Sequence, residues 1–176
     1  YSKYTPDYAG YKNITKLIKD IELPRTWQRD LKLYCDDNGI EFMSTPFDEK
    51  AVDELYDLGI KRFKIAGFEA TDPRFVKYVA STGLPIIISL GIGSHNKTHL
   101  IKQWIRKESK AKITLLHANH AYPTPFKDIN LGELKHMEHW VSIHKDIDYG
   151  LSDHTEGILT PPIAVSMGAK VIEKHY

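Results

Sequence analysis

The sequence predicts an α/β fold built on parallel strands. Three observations carry this. Short apolar runs recur along the chain, helical stripes lie between them, and polar residues gather at one end of the runs. The runs are 40–47 (IEFMSTPF), 62–67 (RFKIAG), 85–91 (PIIISLG), 113–119 (ITLLHAN), 148–154 (DYGLSDH) and 169–176 (AKVIEKHY). Most are β-rich and nearly continuous in apolar residues, as strands buried on both faces are.

The segments between the runs read as helices. Asp48 can N-cap a helix whose stripe is Val52, Leu55 and Tyr56, ending at Gly59. Asp72-Pro73 gives a cap followed by proline at the first helical position. Phe75, Val76 and Val79 then face inward, and Gly83 stops the helix. Leu100, Ile101, Trp104 and Ile105 form the next stripe, and Leu131, Leu134 and Val141 a weaker one. Thr160-Pro161 opens a last helix running to Gly168. Upstream, Thr26 is the expected cap of a helix from Trp27 to Asp37, with Asn38-Gly39 as its stop. Residues 1–25 read as a polar, loop-like segment with a short helix. Six strand–helix steps fit either a doubly wound sheet or most of a (β/α)₈ barrel, which typically takes about 250 residues.

With 176 residues the chain is long enough for one core-bearing domain. Hydrophobic residues make up 41% and charged ones 27%, and the net charge is +1. No strong field points to nucleic acid or an anionic membrane. Cys35 is the sole cysteine, so no internal disulfide forms. With no signal peptide and no long apolar run, the reading is a cytoplasmic protein. The first residue, Tyr1, is not Met, which suggests a processed chain or part of a longer gene.

The polar clusters fall at the C-terminal ends of the runs, where ligands bind in α/β folds. Ser44 and Thr45 stand in the first run. Lys64 lies in the second with Glu69 beyond it, and Asn119, His120 and Tyr122 follow the fourth. Ser152, Asp153 and His154 close the fifth, and Glu173, Lys174 and His175 the sixth. Side chains at i and i+2 share a strand face. Ser152 and His154 therefore point together, as do Glu173 and His175. Two histidines at matching heights on neighbouring strands can converge on a divalent metal, or they can be hydrogen-bonded structural residues. An ammonium at Lys64 inside a buried strand needs an anion. A substrate phosphate or carboxylate would serve, and so would a neighbouring glutamate. His136, His139 and His144 read as a solvated helix face. No dinucleotide, Walker or nucleophile-elbow motif occurs, and GlyIleGly at 91–93 is too short to count.

STPFD (44–48), FKIAGFE (63–69), YPTP (122–125), GLSDHT (150–155) and VIEKHY (171–176) together resemble the sialic acid synthase family. That family also holds the pseudaminic and legionaminic acid synthases and SpsE-type spore coat polysaccharide proteins. The resemblance runs from about Thr26 to the end. It implies a partial TIM (β/α)₈ barrel with parallel strands three to eight, in a single truncated barrel domain over 1–176. The first two strands and the antifreeze-like C-terminal domain would be absent. It implies a synthase, or a fragment of one, that condenses phosphoenolpyruvate with an N-acetylated hexosamine and releases phosphate. It implies Mn²⁺ or another divalent metal on His154 and His175. Thr45, Lys64 and Ser152 would hold phosphoenolpyruvate, and Tyr122 and Glu69 would face the sugar. Glu173 would lie beside the metal, with Glu69 and Glu173 as candidates to stabilise a cationic centre. The full-length family form is a homodimer.

The sequence departs from the family pattern in three places. Gly67 stands where the family often has Ser, and Ser89-Leu90-Gly91 replaces Ser-Thr-Gly. His120, here counted with the substrate-binding residues, stands where the sialic branch carries Asn. Two other readings are a non-catalytic degenerate barrel that binds metal or sugar-phosphate ligands, and a metal-dependent aldolase or hydrolase on another barrel. The combined motifs speak against the last.

Overall fold

The structure, a computed structural model, describes residues 13–91 and 97–175. It divides into two units, Tyr1–Phe42 and Met43–Tyr176. The first holds α1 (Ile14–Ile21) and α2 (Trp27–Asp37). Asn13 caps α1 by accepting from the Lys16 N–H at 2.9 Å. Thr26 makes no side-chain cap on α2, contrary to the sequence reading. Its own φ and ψ are already helical, whereas a capping side chain normally leaves an extended backbone.

The second unit is the parallel sheet with its helices. In chain order it runs α3 (Glu49–Asp57), β1 (Phe63–Ile65), α4 (Pro73–Ser81), β2 (Ile86–Leu90) and α5 (Thr98–Glu108). Then come β3 (Ile113–Ala118), α6 (Glu133–Ser142), β4 (Ile147–Asp153), α7 (Thr160–Ser166) and β5 (Val171–Lys174). The sheet order is β1-β2-β3-β4-β5, every pair parallel. A doubly wound sheet reverses its strand order, whereas a barrel lays each strand beside the last. The order found is that of the barrel.

Five of the six expected runs are strands. The first, 40–47, joins no ladder among the described residues. Ile40, Met43 and Phe47 are exposed, so this run lacks the burial that its apolar character suggested. Helix signals did better. Asp48 accepts from the Ala51 N–H at 2.7 Å and Asp72 from Arg74 at 2.9 Å. Thr160 opens α7, but its hydroxyl turns to Asp153 instead of the helix end. GlyIleGly lies outside the described residues beyond Gly91, as does Tyr176.

Strand alternation sorts the side chains. One sheet face carries Phe63, Ile65, Ile88, Leu115 and Leu151, nearly all fully buried. The helices contribute Val52, Val76, Val79, Ile101, Ile105 and Leu134 to the same core, with α6 and α7 packed on β4. Burial of this apolar surface is the main force holding the unit together. The other face carries Lys64, Ser89, Ser152 and Glu173, and it holds the polar site. Gly150 sits on this face between Leu116 and Val171, where a Cβ would come within 2.1 Å of the Val171 carbonyl oxygen. Among the described residues no helix is long and apolar enough to cross a membrane.

Candidate active site

Lys64 is 5% exposed, and its Nζ donates to Ser89 Oγ at 2.9 Å and to the Ile65 carbonyl at 3.3 Å. It also lies 3.1 Å from Glu173 Oε2. The anion this buried cation requires is therefore supplied by a glutamate, one of the two options left open by the sequence. That glutamate belongs to β5, at the opposite edge of the sheet. Ser152 and Glu173 are direct partners in the β4–β5 register, so both share this face.

His154 and His175 follow on the same face. Their ring centroids are 5.1 Å apart. His154 is buried, and its Nδ1 bonds the Asn119 carbonyl. A carbonyl only accepts, so Nδ1 carries the hydrogen and Nε2 keeps the lone pair. Ser152 Oγ lies 3.2 Å from that Nε2. Burial pushes the His154 pKa down and outweighs the Asn119 bond that raises it, with His175 lowering it further. The Asn119 bond fixes the tautomer, so the Nε2 lone pair faces the Ser152 hydroxyl. This is how proteins prepare a histidine to ligate a metal.

Tyr122 stacks on His154 with centroids 4.1 Å apart and meets His175 edge-on at 5.5 Å. Burial, and then the charge of Glu173, raise the Tyr122 pKa. Its loop is tied down by the Thr124 N–H, which donates to the His154 carbonyl at 2.8 Å. A cavity of about 540 Å³ lies beside the two histidines, lined by Tyr122, His154, Thr155, Glu156 and His175 and, on the clasp side, by Asp153 and Lys174. That volume suits a small polar substrate.

Not every expected residue joins the cluster. Thr45 lies half-buried ahead of α3, and none of the site's hydrogen bonds described above reaches it. Glu69 stands in a 3-10 turn just past β1, with Oε2 buried and without a hydrogen-bond partner among the described residues. His120 Nδ1 is in the same condition. Of the three histidines read as a solvated face, His136 and His139 are exposed. His144 is half-buried past the end of α6, with Nδ1 2.9 Å from Lys102 Nζ.

The sequence puts Lys174 on the alternate face and suggests a partner on a surrounding helix; the structure instead pairs it with Asp153 of the neighbouring strand, in a clasp behind the site. Asp153, fully buried, and Lys174 are register partners on the opposite face. Lys174 Nζ donates to Asp153 Oδ2 and to the Thr155 carbonyl, each at 2.7 Å. Asp153 also accepts from the Thr155 N–H at 2.9 Å, from its hydroxyl at 2.8 Å, and from the Thr160 hydroxyl. Burial alone would raise the Asp153 pKa, but the bonds from Lys174, Thr160 and Thr155 bring it below the usual value. Each clasp residue immediately precedes one of the two histidines. The alternation that puts Lys174 on the face away from His175 also puts Asp153 away from His154, and the β4–β5 register then makes the two direct partners.

Among the described residues no group of three or more His, Cys, Asp and Glu side chains is arranged to hold a metal ion. Two imidazoles with open positions around them nonetheless fit a catalytic divalent metal, whose remaining positions water and substrate fill. His154 and His175 are the residues that would hold it.

A parallel, barrel-ordered sheet with a cation–carboxylate pair and two histidines at its C-terminal edge defines a barrel-type protein with a polar cluster at that edge. The chain belongs to the NeuB family, whose profile matches residues 1–176. It is 38% identical to an uncharacterised protein of Methanocaldococcus jannaschii over 99% of this chain and 51% of that protein. It is 36% identical to the N,N'-diacetyllegionaminic acid synthase of Legionella pneumophila, over 92% of this chain and 45% of the relative. Among solved structures it resembles the N-acetylneuraminic acid synthetase of Leptospira borgpetersenii. The TM-score is 0.84 at 29% identity, covering 97% of this chain and 59% of that one. The chain spans about half the length of the curated relatives it matches.

Proposed function

We propose that this chain carries the central part of a nonulosonic acid synthase site, which joins phosphoenolpyruvate to an N-acetylated hexosamine and releases phosphate. The convergence of Lys64, Glu173, His154 and His175 on one face supports this reading most strongly. Lys64 and Ser89 offer donors to an anion, and Ser152 adds a hydroxyl on the same face. His154 and His175 would hold a divalent metal, Mn²⁺ in this reading, which when bound would polarise the aldehyde of the open-chain sugar. Tyr122 packs against both rings and closes one side of the acceptor space.

In the reaction the methylene carbon of phosphoenolpyruvate forms the new bond to the aldehyde carbon, and the aldehyde oxygen takes up a proton. The positive charge that develops at C2 falls where Glu173 and Glu69 can offset it. Water adds at C2 and gives up its protons, and the C–O bond to phosphate breaks to leave the keto acid and inorganic phosphate. The balance is one water consumed for each phosphate released. The functional form is read as a homodimer of the full-length protein. Phosphate release by the full chain from phosphoenolpyruvate, with Mn²⁺ and a panel of N-acetylated hexosamines, tests the reading. Release that needs both sugar and metal supports it. Release with no member of the panel refutes it.

A further inference from the structure

His154 and His175 belong to different strands, and each is the first residue past the β4–β5 ladder. β4 ends at Asp153 and β5 at Lys174, and these two are the last register pair. The ladder therefore stops one residue short of both imidazoles. Metal–ligand distances fall within about 0.2 Å of fixed values, so two ligands on separate strands need a further tie to set their spacing.

The clasp supplies that tie. Lys174 Nζ donates to Asp153 Oδ2 and to the Thr155 carbonyl, each at 2.7 Å. One ammonium on β5 thus holds the residue before His154 and the residue after it. A bond at 153 alone would only join the strands. Bonds at 153 and 155 together fix the residue between them. Asp153 closes the same turn from within, accepting from the Thr155 N–H and hydroxyl. Its carboxylate is fully buried, so removal of Lys174 would leave a buried charge without its counter-ion.

The two histidines are held unequally. The His154 ring is bonded to the Asn119 carbonyl, and its own carbonyl accepts from the Thr124 N–H. Among the described residues the His175 ring meets Tyr122 and His154 and makes no hydrogen bond. Its place relative to His154 follows from Lys174, its neighbour in the chain. Both clasp residues and both histidines line the same cavity.

We infer that Asp153 and Lys174 are positioning residues, which set the spacing of His154 and His175 for a divalent cation. Neither ligates the cation, because strand alternation sends both side chains to the face away from the rings. The inference rests on the reading that the two histidines hold a divalent metal.

Binding of Mn²⁺ alone to the full chain, followed by the electron paramagnetic resonance signal of the free ion, tests it. Lys174→Met should weaken binding about tenfold or more, as loss of a group that orients a metal ligand does. Lys174→Arg keeps donors for both acceptors and should recover most of the affinity. Val76→Ala is the control. Val76 is fully buried on α4, which packs on α3 and α5, so this variant should melt earlier and bind Mn²⁺ as the wild type does. If Lys174→Met does not fold, Asp153→Asn carries the test, since it keeps an acceptor for Thr155 and removes the charge facing Lys174. Its binding should also weaken. Wild-type affinity in whichever of these two variants folds overturns the inference while the metal reading stands, and so does an equal loss in Val76→Ala. A wild-type chain that binds no Mn²⁺ removes the metal reading and this inference with it.

Discussion

Lys64 and Glu173 stand on the two outermost strands of the sheet, yet their charged ends meet at 3.1 Å. Strands lie about 4.8 Å apart, so in a flat sheet β1 and β5 would be separated by about 19 Å. Two side chains cannot bridge that. The sheet must curl toward its polar face, and this ion pair records the curl in a single distance. Under the proposed function it also sets up a competition, since a phosphate arriving at Lys64 would meet a carboxylate already there.

Glu173→Gln should therefore separate binding from chemistry. Without the competing charge, Lys64 is free for the substrate anion, and phosphoenolpyruvate should bind about tenfold tighter. Turnover should fall about 100-fold, because the charge that offsets the cationic centre is gone. Weaker binding in Glu173→Gln would show that the carboxylate holds Lys64 in place and does not compete. Lys64→Met should weaken binding by more than about tenfold, having removed the cation itself. Calorimetry with steady-state kinetics measures both.

The Asp153–Lys174 clasp should govern stability. Asp153→Ala leaves an ammonium and two threonines without their shared acceptor, and a loss of about 3 kcal/mol is expected. Lys174→Met should cost less, because the bonds from Thr155 and Thr160 to Asp153 remain. Urea denaturation measures both, and a larger loss in Lys174→Met would contradict this account of the clasp.

Much of this arrangement was legible in the sequence. Period-two alternation alone put Ser152 with His154 and Glu173 with His175, because β-strand geometry fixes side-chain direction within a strand. Asp48 and Asp72 announced their helices because a capping carboxylate acts within three residues. The missed features depend on distant partners. Nothing local shows that 40–47 lacks a ladder, or that Thr26 is already helical. Nor could a linear reading show that Lys64 finds its counter-ion on the far edge of the sheet, since that contact exists only once the sheet has curled.

Gly150 and Gly132 form a contrasting pair. Gly150→Ala drives a Cβ to 2.1 Å from the Val171 carbonyl oxygen and 2.8 Å from Leu116 Cδ2. Relief requires the β4–β5 backbones to part, at an expected cost of about 2 kcal/mol or more. At Gly132 the nearest atom to a Cβ is Asn130 Oδ1 at 3.6 Å. Gly132→Ala should change stability by less than about 0.5 kcal/mol. Equal melting temperatures for the two variants would contradict the close approach at Gly150.

Asp72 gives the expected acid dependence. The Arg74 N–H bond lowers its pKa in the folded chain, outweighing the small effect of burial. A carboxylate lowered on folding adds stability that is complete above its unfolded value of about 3.9 and fades as the pH falls through the lower folded one. Asp72→Ala should cost about 1 kcal/mol at pH 7. The gap from wild type should narrow below about pH 4, as the carboxylate becomes neutral. A gap that stays constant down to pH 2 would assign the loss to something other than the charged cap.

The reaction itself offers the most direct test. The full chain is incubated with Mn²⁺, an N-acetylated hexosamine and phosphoenolpyruvate carrying ¹⁸O in the bridging C–O–P position, and both products are weighed by mass spectrometry. Attack of water at C2 predicts that the label leaves with phosphate, in equimolar yield with an unlabelled nonulosonic acid. Phosphate without the label, or phosphate formed with no carbon–carbon product, would contradict the account.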